Sequence, residues 1–248
     1  MKPVVLLLCL VAAARVHAGC SVNALYDDYP PFSYAGTDGS AQGFDVDALR
    51  LVLAAMDCSA RISGLPWDDV LVAIKAGKAD VAVGVGYHPE RADWTWYSEP
   101  FREERVGLVL RKGESARFPG ATLLSVMEQG LRFGRTLGDS DTPAVAAALH
   151  GHEPQLRAAV SEEDNFRRLL AGEIDGFLIE RRFGVAVAAQ VGATDGIEFH
   201  PLALTPGRYR FMFGRQVTPR FVQRFDAALQ RLLYEDAFAP LARRYGVE

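Results

Sequence analysis

Apolar residues fall along this chain in short blocks whose spacing switches between two periods. Residues 21–25 are a short strand candidate, followed by the turn-rich stretch Tyr26-Asp27-Asp28-Tyr29-Pro30-Pro31-Phe32. Over 45–56 the period changes, and Val46, Leu49, Leu53 and Met56 fall on one face of a helix. Residues 61–65 read as a strand. A helix then follows, with Asp68 or Asp69 as its cap, Leu71 and Ile74 on its apolar face and Gly77 as its stop. The run 80–85, Asp-Val-Ala-Val-Gly-Val, is almost continuously apolar, as a strand covered on both faces should be. Strands alternating with helices in this way predict a parallel α/β sheet.

A second series of the same kind follows. Strands are predicted over 106–110, 132–137 and 174–179, with a short helix over 143–149. Ser161-Glu162-Glu163-Asp164 reads as a capping box ahead of Phe166, Leu169 and Leu170, and Gly172 stops that helix. Near the end, Thr218-Pro219 is a strong helix start, and Phe221, Phe225, Leu229 and Leu232 mark the apolar face behind it. No repeat at a solenoid period interrupts the pattern. Two α/β lobes are the economical reading, with the cleft between them as the expected ligand site.

Composition narrows the function classes. The 248 residues are 49% hydrophobic and 23% charged, which fits a folded globular protein and excludes disordered or fibrous architectures. The net charge of −4 lacks a cationic footprint, so nucleic acid is not an expected partner. The opening Met1-Lys2-Pro3, the apolar run 4–14 and the small-residue ending Val16-His17-Ala18 predict a cleavable signal peptide over 1–18 and export to the periplasm. That run is too short to span a bilayer.

Of the three cysteines, Cys9 would leave with the signal, and Cys20 and Cys58 would remain in an oxidising compartment. Cys20 begins the first predicted strand, and Cys58 lies just before the second. In a strand-helix-strand crossover two such strand starts are neighbours at disulfide distance. A disulfide is therefore expected. A lipid anchor at Cys20 is the alternative, disfavoured because His17 stands where a lipoprotein acceptor wants an aliphatic residue.

No enzyme signature is present. Gly84-Val85-Gly86 follows a strand, but Pro89 replaces the third glycine of a dinucleotide fingerprint. Phosphate-loop, nucleophile-elbow and zinc-protease motifs are missing. His150-Gly151-His152 has no cysteine near it and reads as a solvated loop. Neither a metal nor another cofactor is expected.

Five phrases in order carry a resemblance: Tyr29-Pro30-Pro31-Phe32, Gly43-Phe44-Asp45-Val46-Asp47, Gly77-Lys78-Ala79-Asp80, His88-Pro89-Glu90-Arg91, and Tyr97-Ser98-Glu99-Pro100-Phe101. Together they resemble the polar amino-acid family of bacterial extracellular solute-binding proteins, family 3, which feed ABC importers. Gly172-Glu173-Ile174-Asp175 extends the likeness into the second half. The resemblance implies a two-lobed type II periplasmic binding protein fold with parallel or mixed sheets and two crossing strands as its hinge. It implies a discontinuous first lobe, 19–108 plus 206–248, and a second lobe over 109–205. The expected partners are a small-molecule solute and a membrane ABC permease, and the protein is expected to act as a monomer.

By the same resemblance, Arg91 pairs with a ligand α-carboxylate, a task suited to a planar guanidinium fork. Glu180 would hold the α-amino group, with a surface pairing to Arg181 or Arg182 as its alternative. Tyr29, Tyr26 and Trp67 would wall the ligand with rings or else serve as core. Ser140 and Thr142 would supply donors ahead of the helix from Pro143, or simply cap it. Gly84 and Gly86 stand where amino-acid-specific members often carry hydroxyl residues, so only their backbone donors remain. His88 replaces the usual threonine, and a histidine there would make closure pH-sensitive. A solute receptor is the leading reading, with an amino acid as the favoured ligand. A cyclohexadienyl dehydratase on the same fold, with Glu180 as general acid, and a receptor for a non-amino-acid solute are the alternatives.

Overall fold

The structure is a computed structural model, and it describes residues 20–138, 141–202, 204 and 206–247. The expected signal peptide, 1–18, lies outside the described residues. Among the described residues, thirteen strands form two five- or six-stranded sheets and a small hairpin: β1 (Cys20–Tyr26), β2 (Tyr34–Ala35), β3 (Ala41–Gln42), β4 (Cys58–Gly64), β5 (Val81–Gly86), β6 (Thr95–Tyr97), β7 (Arg102–Glu104), β8 (Val106–Arg111), β9 (Phe133–Thr136), β10 (Leu156–Ala159), β11 (Gly176–Glu180), β12 (Ile197–Phe199) and β13 (Gly207–Gly214). The helices are α1 (Phe44–Ala54), α2 (Trp67–Lys75), α3 (Leu123–Met127), α4 (Pro143–Leu149), α5 (Glu162–Leu170), α6 (Arg181–Gln190), α7 (Pro219–Tyr234) and α8 (Ala239–Tyr245).

The first sheet runs β4-β1-β5-β13-β6, with β7 also on β13, and the second runs β10-β9-β11-β8-β12. Both are mixed. In the first, β1, β4 and β5 are parallel and β13 is antiparallel to β5. In the second, β9, β10 and β11 are parallel and β8 is antiparallel to β11. The chain passes from the first sheet to the second at Arg105, between β7 and β8, and returns between Phe199 and Gly207.

Helices cover both faces of each sheet, because successive strand residues point to opposite sides. On one face of the first sheet Phe211 and Phe213 pack with Leu49 and Val52 of α1 and with Phe225 and Leu229 of α7. On the other, Met212 and Ala82 meet Val70 and Ile74 of α2. In the second sheet Leu108 and Leu110 face Met127 and Phe133, whereas Val109 joins Phe166, Leu169 and Phe177.

Cys20 and Cys58 form a disulfide, with α-carbons 4.6 Å apart, at the paired starts of the parallel strands β1 and β4. The second strand begins at this cysteine rather than at Arg61. The helix expected behind Asp68 or Asp69 instead starts at Trp67, with Pro66 before it and no side-chain cap. The two aspartates lie in its first turn, where negative charge suits the helix dipole. The capping box at Ser161 is half formed. Ser161 Oγ accepts from Asp164 N at 3.3 Å, but Asp164 Oδ2 accepts from Val160 N, one residue ahead of the cap. No helix among the described residues is long and apolar enough to cross a membrane.

Candidate functional site

A cavity of about 990 Å³ lies where the carboxyl end of β5 in the first sheet faces that of β11 in the second. Ligands of α/β sheets characteristically bind beyond the carboxyl ends of strands. Tyr29, Trp67, Gly84, Gly86, Arg91, Thr142 and Glu180 all border this cavity, although they come from six separate stretches of the chain. Ser140 lies outside the described residues.

Arg91 ends a single 3-10 turn, Pro89–Arg91, that follows directly on β5. Its guanidinium lies 5.3 Å from the centre of the Trp67 ring, and its carbonyl accepts from Thr95 Oγ1 at 2.7 Å. The residue is buried, so the fork is held against the cavity wall rather than in bulk water. Beside it, His88 Nδ1 lies 3.2 Å from Glu90 Oε1. Burial, with the Arg91 charge adding to it, pushes the His88 imidazole below its usual range. The shift favours the uncharged imidazole.

Glu180 ends β11 and is the N-cap of α6. Its Oε2 accepts from Arg182 N at 2.7 Å and Phe183 N at 2.8 Å. Its side chain is fully buried, and Oε1 has no hydrogen-bond partner, since Arg182 Nη1 approaches only to 3.9 Å. Arg181 is turned away, with its guanidinium 4.7 Å from the Phe199 ring centre. A buried carboxylate oxygen left without a donor in a cavity wall is an acceptor suited to a ligand N–H.

Tyr29 sits in the turn between β1 and β2, fixed by Tyr29 N donating to Ser33 O at 2.6 Å. Its ring contacts Phe183 of α6 at 4.2 Å between centres, linking the two sides of the cavity. Tyr26 does not reach the cavity. As the last residue of β1 it points into the core of the first sheet, with its ring against Gly64 of β4. Its expected place in the ligand wall is therefore corrected to a place in the core. Thr142 borders the cavity, but its hydroxyl oxygen accepts from Val145 N at 3.3 Å and caps α4.

Gly84 and Gly86 differ sharply. Gly86 has open space about it, since a β-carbon there would come no nearer than 3.8 Å to His88 or Tyr209. Gly84 has φ +64, and a β-carbon on it would overlap the Asp45 carboxylate. The missing hydroxyl at 84 thus has a local cause: Asp45 occupies that space. Asp45 is buried and holds Arg102 with two bonds, Nε to Oδ1 at 2.7 Å and Nη2 to Oδ2 at 2.8 Å. Arg102 is also sandwiched between Phe32 and Tyr209, 3.8 and 4.1 Å from their ring centres.

Next to this pair lies Glu104, whose Oε1 accepts from Tyr29 Oη at 2.9 Å and Tyr209 Oη at 2.6 Å. Burial raises the Glu104 carboxyl above its usual range, against the pull of both phenols and Arg102. Burial and the Glu104 charge hold both tyrosines well above theirs. The sequence reading missed Asp45 as a buried ligand of Arg102, and it missed Arg102, Glu104 and Tyr209 altogether. The signal was slight: a polar run, Arg102-Glu103-Glu104-Arg105, directly before an apolar strand. Elsewhere in the wall Arg135 pairs with Asp141 at 2.7 Å. Among the described residues no group of three or more His, Cys, Asp or Glu is placed to hold a metal ion.

Comparison with known proteins accords with this arrangement. The model of the bacterial extracellular solute-binding proteins, family 3, matches residues 22–248. The L-cystine-binding protein TcyJ of Escherichia coli (strain K12) is 24% identical over 164 residues, 66% of this chain and 59% of that protein, so the match spans about three-fifths of the relative's length. The cyclohexadienyl dehydratase of Pseudomonas aeruginosa is 24% identical over 124 residues, 50% of this chain and 40% of that protein. Among solved structures, an ancestral arginine-binding protein bound to arginine superposes with a TM-score of 0.73 at 17% identity, covering 91% of this chain and 97% of that one. At that identity the likeness shows the two-lobed fold of periplasmic binding proteins. By its family match, the chain belongs to the bacterial extracellular solute-binding proteins, family 3.

Proposed function

We propose that this chain is the periplasmic substrate-binding receptor of an ABC importer and takes a small polar solute, an amino acid, in the cavity between its two sheets. The observation that carries the reading is the pairing of chemistry across that cavity. A buried guanidinium fork, Arg91, stands on the first-sheet side, and a buried carboxylate with one oxygen that accepts no hydrogen bond, Glu180, stands on the second. An α-amino acid presents the complementary carboxylate and ammonium, and both contacts gain strength when water is excluded. Tyr29 and Trp67 supply ring walls, and the Gly86 backbone leaves room for a close ligand. The two sheets act as two lobes, dividing at the crossings near Arg105 and ahead of Gly207, that close on the solute. The protein works as an exported monomer that delivers its solute to a membrane permease, and it catalyses no reaction. A thermal-shift screen across amino acids, polyamines and small organic acids tests this. A ligand at a hundredfold excess over its dissociation constant stabilises by about 2.7 kcal/mol, a readable shift. No shift with any amino acid would remove the amino-acid reading.

One observation favours a second reading. The same Glu180 oxygen, which accepts no hydrogen bond, would suit a general acid, and a dehydratase is among the similar proteins. Incubation with prephenate or arogenate decides it: aromatic product would establish an enzyme, and its absence leaves the receptor.

A further inference from the structure

We infer that Glu104 is a specificity-determining residue that makes the cleft select solutes with a second positive group, an amino acid with a cationic side chain being the class that fits. The inference rests on the reading of the cavity as an amino-acid site.

The argument begins with placement. Glu104 ends β7, one residue before the chain crosses to the second sheet, and pairs in register with Gly207, where the chain has just crossed back. Across that crossing Arg181 N donates to Arg105 O at 2.9 Å, and Glu180 pairs in register with Val106. The two glutamates therefore flank the same crossing segment, and both border the cavity. Glu180 is near enough that its charge raises the Glu104 carboxyl.

Both phenols that bind Glu104 converge on one oxygen, Oε1. Two O–H donors on a single oxygen suit an ionised carboxylate, which accepts and does not donate. The second oxygen, Oε2, makes no hydrogen bond among the described residues. It also lies next to Gly207, where an added β-carbon would stand 3.1 Å from it. A glycine at that position keeps the approach to Oε2 clear.

Three of the four neighbouring cations are engaged elsewhere. Arg102 is held by Asp45 through two bonds, and Arg135 by Asp141. Arg210 Nη1 donates to Ser98 O at 2.7 Å, and Arg208, which also borders the cavity, has its side chain exposed to solvent. One carboxylate at this end, Glu180, is matched by the α-ammonium of an amino acid. Glu104 then remains as a second, half-buried carboxylate on the cavity wall, with Oε2 open to a bound cation. A ligand ammonium or guanidinium on Oε2, beside the Tyr29 and Tyr209 rings, supplies it.

The test compares ligands of similar shape that differ in side-chain charge: L-arginine with L-citrulline, L-lysine with L-norleucine, and L-ornithine with L-norvaline. Agmatine, which lacks the carboxylate, is the further probe. Calorimetry is run on the parent protein, on Glu104→Gln and on Glu104→Asp, with the fold of each variant checked by its melting profile. Glu104→Gln keeps an oxygen for both phenols and removes the charge, and Glu104→Asp keeps the charge but withdraws it by one methylene. In at least one pair the cationic ligand should bind the parent about thirtyfold or more tightly than its neutral twin. That preference should collapse toward parity in Glu104→Gln and shrink in Glu104→Asp, which also decides the matter if the Gln variant fails to fold. Neutral ligands that bind the parent as tightly as cationic ones would overturn the inference and leave the amino-acid reading standing. A preference that survives in both variants would overturn the role of Glu104. Binding of agmatine with no amino acid bound would sink the amino-acid reading and with it the inference that rests on it, and no binding by any probe would do the same.

Discussion

Gly84→Ala is predicted to damage the protein far more than the same change two residues on. At 84 the backbone has φ +64, a left-handed conformation that costs an L-residue roughly 1–2 kcal/mol. The new methyl would also overlap the Asp45 carboxylate, which cannot retreat without releasing Arg102. Breaking a buried ion pair so that one charge is left uncompensated costs about 3–5 kcal/mol. Partial relaxation places the combined loss at about 3–6 kcal/mol, a large share of the 5–15 kcal/mol typical of a folded protein. For a chain of this size each kcal/mol moves the melting temperature by about 2–4 °C, so Gly84→Ala should lower it by about 6–24 °C. Gly86→Ala is the control: its β-carbon has only ordinary neighbours at 3.8 Å, and its melting temperature should stay within about 2 °C of the parent. Calorimetric melts of the three proteins, with the disulfide intact, measure both. If Gly84→Ala were as benign as Gly86→Ala, Asp45 would not be what keeps side chains out of position 84.

The remaining predictions concern the frame and the cleft. Denatured, unreduced protein should show no free thiol from Cys20 or Cys58, and reduction should destabilise by about 4 kcal/mol for a loop spanning 38 residues, so a melt unchanged by reductant would refute it. Asp175 is buried, which opposes its charge, yet hydrogen bonds from Arg132 and Arg111 hold its carboxyl well below the usual 3.8. Its contribution is therefore complete above that value and lost as the pH falls below it, so Asp175→Asn should cost about 2 kcal/mol at neutral pH and flatten the acid limb of the stability profile. An acid limb as steep as the parent's would assign acid sensitivity to other groups. Arg91→Ala should weaken the best solute by about 2–5 kcal/mol while the fold persists, and an unchanged dissociation constant would reduce Arg91 to packing on Trp67.

Regular elements were legible in the sequence where one local pattern decided them. The apolar run at β5, the helical face of α1 and the Thr218-Pro219 start of α7 each sit where the pattern put them. Strand β13 was not read, because Arg208-Tyr209-Arg210 resembles an exposed loop until the tertiary fold pairs it with β5 and β7. Its antiparallel course also makes the first sheet mixed, which no crossover count reveals. Within the site, Arg91 and Glu180 were found through phrases that lie close to them in sequence. Tyr26 was misplaced because β1 runs through it, and strand alternation carries its ring to the core rather than the cavity. The pairing of Asp45 with Arg102 spans 57 residues, and the two tyrosines on Glu104 stand 75 and 105 residues from it. No local spacing encodes such contacts, since they arise only when β7 and β13 join one sheet.

The central claim, that an amino acid is held between Arg91 and Glu180, is tested most directly by titrating Glu180→Gln calorimetrically with the best amino acid and with its deaminated analogue. Gln keeps an oxygen for Arg182 N and Phe183 N, so α6 retains its cap while the charge is removed. The account predicts a selective loss: the amino acid weakens by about 2–5 kcal/mol, whereas the analogue binds variant and parent almost equally. Equal affinity of the amino acid for both proteins would contradict it, leaving Glu180 as nothing more than the cap of α6.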